Sequence, residues 1–238
     1  MRFLILSDIH ANWDALDAVL TDADGKYDLV LNCGDLVGYG PEPNRVVDWC
    51  RATNAAVIRG NHDRAAVGLT DLEWFNPVAR AAALWTSDIL TEENRSYLAR
   101  LPSGPATVQD FDLIHGSPID EDEYLVSIED VHGLPLERTL SFFGHTHLQG
   151  GFWIHRNGVR PLQPGGSVTV EDTAAYLVNP GSVGQPRDHD PRAAYAIYDS
   201  ESRRVDYHRV DYDVMSTIRK ILDAGLPEVL GLRLTRGV

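Results

Sequence analysis

Five short, strand-like apolar runs in this chain lead straight into residues that bind metals. Phe3-Leu4-Ile5-Leu6 leads to Asp8-Ile9-His10, Leu29-Val30-Leu31 to Gly34-Asp35, and Ala55 to Ile58 to Gly60-Asn61-His62-Asp63. Leu140 to Phe143 leads to Gly144-His145-Thr146-His147, and Phe111 to Ile114, broken by Asp112, leads to His115-Gly116. Open α/β sheets bind their ligands just beyond the ends of strands. The donors are carboxylate, imidazole and amide, with no thiolate. That mixture suits a two-metal hydrolytic centre.

The spacing between the runs supports the same frame. Trp13, Leu16, Val19 and Leu20 share one face of a helix over 11–20, and Pro43 suits the first turn of a helix carrying Val46, Val47, Trp49 and Cys50. This β-α-β-α-β rhythm predicts a largely parallel, doubly wound α/β sheet. Asn76-Pro77 reads as a cap and first helical residue for 78–89, and Thr91 caps a helix running to Leu101 before Pro102. Beyond 110 the chain turns to β structure. Asn157-Gly158 predicts a type I′ hairpin within 152–162, strands follow over 174–178, 193–198 and 205–210, and a last helix spans 214–222. No repeat or linker divides the chain, so residues 1–238 are expected to form one domain.

Composition narrows the function. The net charge is −14, which opposes binding to long nucleic acid. Small phosphate esters remain open, because divalent cations can reverse the local field. No run is apolar enough to span a membrane, and the stretch after Met1-Arg2 is too short for a signal-peptide core, so a cytoplasmic protein is expected. Cys33 and Cys50 do not make a disulfide framework, and Cys33 reads as a buried thiol.

Taken singly, each site stretch has a plainer reading. Asp8 could cap a helix, Asp35 could be a turn residue, and His115 could be a bonded core histidine. As a site, Asp8 and His10 would point the same way from a regular strand and reach one cation. Asp35 has two carboxylate oxygens and can bridge two cations. Asn61 offers a neutral oxygen, while His62 could protonate a leaving group. Asp63 could orient His62 or cap the following helix. His145 and His147 could serve one metal or two adjacent ones.

In order, D-x-H, G-D, G-N-H-D, H and G-H-x-H resemble the signature of the calcineurin-like metallophosphoesterases. Asn179-Pro180-Gly181-Ser182 is similar to the small bacterial and archaeal phosphodiesterase branch. The resemblance implies a four-layer α/β/β/α sandwich with metals at strand ends. It implies a first metal on Asp8, His10, Asp35 and His147, and a second on Asp35, Asn61, His115 and His145. It makes Asp35 the bridge, His62 the acid near the leaving group, and a metal-bridging hydroxide the nucleophile. The metals would be two divalent transition ions, from Mn, Fe, Zn, Co and Ni, with manganese first.

Substrate contacts are less marked. Asn12 could steady the site or cap a helix. Tyr39 could line the rim or form a rigid turn. Arg187 and His189 lie in a polar loop after Asn179, and Arg59 and Arg64 flank the G-N-H-D stretch. The expected partner is a small phosphate ester, with a homo-oligomer left open. Other readings are a protein phosphatase or nuclease, a metal-stabilised binding module, and a nucleotide sensor without turnover.

Overall fold

β1 (Arg2–Leu6) is buried on both faces, and its alternation sets the layers. Leu4 and Leu6 join a core shared with helices; Phe3 and Ile5 join a second core between two sheets. The computed structural model describes residues 1–238. The first half runs through α1 (Trp13–Asp22), β2 (Leu29–Asn32), α2 (Pro43–Thr53), β3 (Ala56–Val57), α3 (Asn61–Ala66), a 3₁₀ turn (Leu72–Trp74), α4 (Pro77–Ile89) and α5 (Glu92–Ala99). The second runs through β4 (Ala106–Val108), β5 (Phe111–Leu113), α6 (Ile128–Val131), β6 (Leu140–Phe142), β7 (Gly150–His155), β8 (Gly158–Leu162), β9 (Ser167–Thr169), β10 (Ala175–Asn179), β11 (Ala193–Asp199), β12 (Arg204–Val210), α7 (Val214–Asp223) and α8 (Glu228–Leu234).

Two six-stranded sheets result, ordered β3-β2-β1-β11-β12-β9 and β4-β5-β6-β10-β7-β8. The expected doubly wound, largely parallel sheet is corrected here. β1, β2 and β3 are parallel, but β11, β12 and β9 extend the same sheet antiparallel. In the second sheet only β5, β6 and β10 are parallel. Hairpin-connected late strands closed the edges that further βαβ units would have occupied. The arrangement is the four-layer α/β/β/α sandwich, with a thin outer layer on the second sheet. There Leu125 and Val131 of the α6 region cover Ile114, Phe143 and Leu177.

The inter-sheet core is aromatic. Phe111 meets Phe3 edge-on at 5.2 Å and Phe142 at 5.5 Å between ring centroids. Helix starts follow their caps: Asn76 Oδ1 accepts from Val78 N and Ala79 N, and Thr91 Oγ1 accepts from Asn94 N. The hairpin expectation is displaced by one residue. Its loop is Arg156-Asn157, with His155 paired to Gly158, and neither loop residue has the positive φ a type I′ turn needs. No helix is long and apolar enough to cross a membrane.

Candidate metal centre and adjoining cleft

β1, β2, β5 and β6 all end toward one point, and their following loops are tied to each other. Asp8 N donates to Gly34 O, His10 N to Asp35 O, and Gly144 N to His115 O. These loops carry the candidate ligands in an unusual backbone. Asp8, His10, Asp35, His145 and His147 all have φ between 48° and 65°. Side-chain convergence of Asp8 and His10 therefore does not come from strand alternation, since both lie beyond β1 in the left-handed region. Such residues cost of order 1–3 kcal/mol each and persist only where surroundings over-determine them. Here the surroundings do. Asp8 O accepts from Gly184 N and from Ser182 Oγ, and His10 O accepts from Gly40 N.

The donor atoms fall into two groups that share Asp35: Asp8, His10, Asp35 and His147, and Asp35, His115 and His145. Within each, the donors lie within 4.8 Å of one another. Asn61 Oδ1 lies 3.3 Å from His115 Nε2, which adds it to the second group. All of these side chains except Asn61 are buried.

Hydrogen bonds on the far side of each ring fix what it presents. His10 Nδ1 donates to Val37 O at 3.0 Å, His115 Nδ1 to Cys33 O at 2.7 Å, and His147 Nδ1 to Gln185 O at 2.6 Å. A carbonyl only accepts, so these nitrogens carry hydrogen and the Nε2 atoms turn lone pairs inward when the rings are neutral. His145 is reversed: Nε2 donates to Asp122 O at 3.1 Å and leaves Nδ1 free. His10 Nε2 and His147 Nε2 then stand 3.1 Å apart, lone pair toward lone pair. Asp35 Oδ2 is buried with no hydrogen-bond partner, 3.6 Å from His10 Nε2 and 3.4 Å from His115 Nε2. Facing lone pairs around an unpaired carboxylate oxygen are repulsive by themselves. Cations between them would resolve the repulsion, so the residues fit a pair of metal ions.

Two glycines are required by this crowding. A Cβ on Gly60 would lie 2.1 Å from Asp35 Oδ1, and one on Gly144 would lie 2.0 Å from Ser7 Oγ and 2.9 Å from Asp8 Oδ2. Asp63 caps α3 by accepting from Gly60 N at 3.0 Å, and also accepts from Asp35 N at 2.9 Å and Val37 N at 3.2 Å. Of the two roles open to Asp63, it takes the cap and leaves His62 untouched.

His62 is buried beside the candidate metal ligands, its ring 4.9 Å from that of His10 and 4.3 Å from that of Tyr39. Burial pushes it down to about 4. Tyr39 is buried beneath the cleft, and the Arg187 guanidinium lies 5.9 Å from its ring.

Four of the substrate-side candidates, Asn12, His189, Arg59 and Arg64, are engaged within the fold, although Arg64 still lines the cleft. Asn12 is a buried tie: Nδ2 donates to Gly184 O at 2.9 Å, and Oδ1 accepts from Ala15 N and from Thr217 Oγ1 of α7. Its side chain thus caps α1 and ties the loop at Gly184, whose N–H holds Asp8 O, in keeping with the capping and steadying roles open to it. His189 is exposed, with its backbone N–H on Gly237 O, outside the cleft lining. Arg59 holds Glu121 in two bonds, and Arg64 holds Glu121 and Asp122. Together they pin the 117–125 loop, whose Asp122 carbonyl fixes His145.

Beside the cluster opens a cleft of about 410 Å³, lined on the cluster side by Asn61, His62 and His145. Its outer wall holds Trp74, Phe75 and Tyr124, which sequence reasoning missed. Trp74-Phe75 before the Asn76-Pro77 helix start was the available signal; nothing near Tyr124 marked it.

The chain matches the family model described as calcineurin-like phosphoesterase over residues 1–184. It belongs to that family. A relative from Methanocaldococcus jannaschii, an uncharacterized protein, is 34% identical over 98% of this chain and 97% of its own length. The metallophosphoesterase from Sphaerobacter thermophilus is 40% identical, with a TM-score of 0.88 over 100% of this chain and 99% of that one. A hypothetical protein from Pyrococcus horikoshii OT3 shares the fold at 20% identity, with a TM-score of 0.80 over 100% of this chain and 98% of that one. Family and site together make the chain a metal-dependent phosphoester hydrolase.

Proposed function

We infer that residues 1–238 act as one catalytic domain hydrolysing small phosphate esters, diesters first, with a dinuclear centre of divalent transition metals. The observation that carries this is the pair of facing imidazole nitrogens 3.1 Å apart beside the unpartnered Asp35 Oδ2. Asp8, His10, Asp35 and His147 would hold one ion, and Asp35, Asn61, His115 and His145 the other. Nitrogen and oxygen donors suit Mn, Fe, Zn, Co or Ni, and manganese is our first choice. When bound, the two ions supply an acidified water and neutralise charge on the phosphate.

The protein's own groups do the rest. Arg187 offers a guanidinium to a phosphate oxygen. Water adds to phosphorus, the bond from phosphorus to the leaving oxygen breaks, and that oxygen takes a proton. His62, at the junction of cluster and cleft, would deliver it. An anionic phosphate beside the ring works against burial and favours its protonated form. The cleft admits a small ester, and the charge of −14 repels polynucleotides.

The test is hydrolysis of bis-p-nitrophenyl phosphate by chelator-stripped protein reloaded with Mn²⁺. Release of p-nitrophenol that depends on added metal is expected. Absence of turnover with every one of the five metals, together with a stably bound protein partner, would replace this reading with a binding module.

A further inference from the structure

The outer wall of the cleft has a composition that the reaction at the metals does not use. Trp74 is 90% exposed, although an indole is among the side chains that gain most from leaving water. It is not on a loose loop. The 3₁₀ turn Leu72–Trp74 is fixed at its start by Asp71, whose Oδ1 accepts from Glu73 N at 2.8 Å. It is fixed at its end by Asn76, which caps α4. The ring is thus carried on an anchored root and left facing water at the mouth of the cleft.

Two more rings continue the wall toward the metals. Phe75 stands edge-on to His62 at 5.2 Å, and Tyr124 lies on His145 at 4.0 Å. Polar groups among the rings offer both kinds of hydrogen bond. Asn76 Oδ1 is used twice in capping, so its amide NH₂ is the part left to donate. Asp71 supplies a carboxylate that can accept, and no cation neutralises it. Asp71 carries an unpaired charge here, while Asp122 is paired with Arg64, which also lines the cleft.

Resting on the phosphoesterase reading above, we propose that this wall is a subsite for a nucleobase, with Trp74 as its stacking platform. The substrates are esters that carry one phosphate at the metals and an uncharged nucleoside in the cleft. Flat rings match a flat, uncharged base; the Asn76 amide and Asp71 carboxylate match its acceptors and exocyclic amine.

The experiment compares two cyclic diesters that share a five-membered phosphate ring, 2′,3′-cyclic adenosine monophosphate and glycerol 1,2-cyclic phosphate, on Mn²⁺-loaded full-length protein. Trp74→Ala should lower kcat/KM for the nucleoside ester about 5- to 150-fold, as base–aromatic stacking warrants. It should leave the glycerol ester within about twofold. Trp74→Phe should restore most of the loss, since it keeps a flat ring. Equal losses on both esters, or none on either, would overturn the subsite. So would a wild-type preference for glycerophosphocholine that Trp74→Ala removes, because that marks a cation site. If the wild type cleaves no ester, the phosphoesterase reading fails on its own, and adenosine binding still judges the subsite. Quenching of indole fluorescence by adenosine in the wild type, lost in Trp74→Ala, supports it; no quenching sinks it.

Discussion

Asp35→Asn probes the centre most directly. Oδ1 of Asp35 is committed, because it accepts from His62 N at 2.8 Å. The amide oxygen of asparagine therefore takes that place, and its NH₂ replaces Oδ2. An amide nitrogen has no lone pair for a cation, so the two proposed metals would lose the shared, charged ligand at once. Outer-shell partners alone are worth about 10–100-fold in metal affinity. Loss of the bridge is set here at the upper end, roughly a hundredfold at each site. At free metal about 100 times the wild-type dissociation constant, each wild-type site adds about 2.7 kcal/mol of stability, or roughly 5.4 kcal/mol for two. For a chain of 238 residues this is a rise in Tm of roughly 11–22 °C. The same metal would only half-fill the variant's sites, adding about 0.4 kcal/mol each and at most roughly 3 °C. Thermal unfolding with chelator and then with titrated Mn²⁺, beside elemental analysis of bound metal, measures both. A variant that holds two equivalents and gains the wild-type rise refutes the bridging role. A wild type whose Tm ignores confirmed metal removal refutes the preassembled site.

Other substitutions separate chemistry from scaffold. His62→Ala should keep both metals by elemental analysis while slowing kcat on the nitrophenyl diester by about 10²–10⁴-fold; unchanged kcat would remove His62 from the proton path. Phe3→Ala hollows the aromatic core between the sheets and should cost about 3–5 kcal/mol by urea unfolding, with less than 1 kcal/mol pointing to collapse of the cavity. The hydroxyl of Tyr195 donates to Asp22, and that bond, ahead of Lys26, holds the Asp22 carboxyl below its ordinary value. A depressed carboxyl adds stability above its unfolded pKa of 3.8 and loses it as pH falls through the lower folded value. Tyr195→Phe should thus cost about 0.5–1.5 kcal/mol at pH 7, discounted for the half-open site, and the cost should shrink in denaturation series taken below pH 3. A cost that does not change with pH would assign the loss to packing.

The ligand inventory was legible in the sequence because side-chain chemistry is local. Imidazole, carboxylate and amide are the same donors wherever the chain carries them, and apolar runs such as Phe3–Leu6 announce strands that end at the site. Caps were legible for the same reason: Asn76 and Thr91 act on the next few residues. Sheet order was not. Whether β11 would pair antiparallel with β1, or a further βαβ unit would lie there, depends on partners almost two hundred residues apart. The Asn157-Gly158 turn slipped for a related reason, since pairing of β7 with β8 chose the register over the dipeptide.

The site shows the same division. Sequence alone named the groups able to hold cations, because their chemistry needs no fold to be recognised. Only the tertiary structure bent Asp8, His10, Asp35, His145 and His147 into left-handed backbone and aimed their donors at common points. Aspartate and histidine enter that conformation more readily than most residues, but it remains uncommon for them without support. Bonds from distant loops, Gly184 and Ser182 on Asp8 and Gly40 on His10, hold it in place. The aromatic wall of the cleft likewise exists only where the turn at Trp74 and the loop at Tyr124, far apart along the chain, come to one opening.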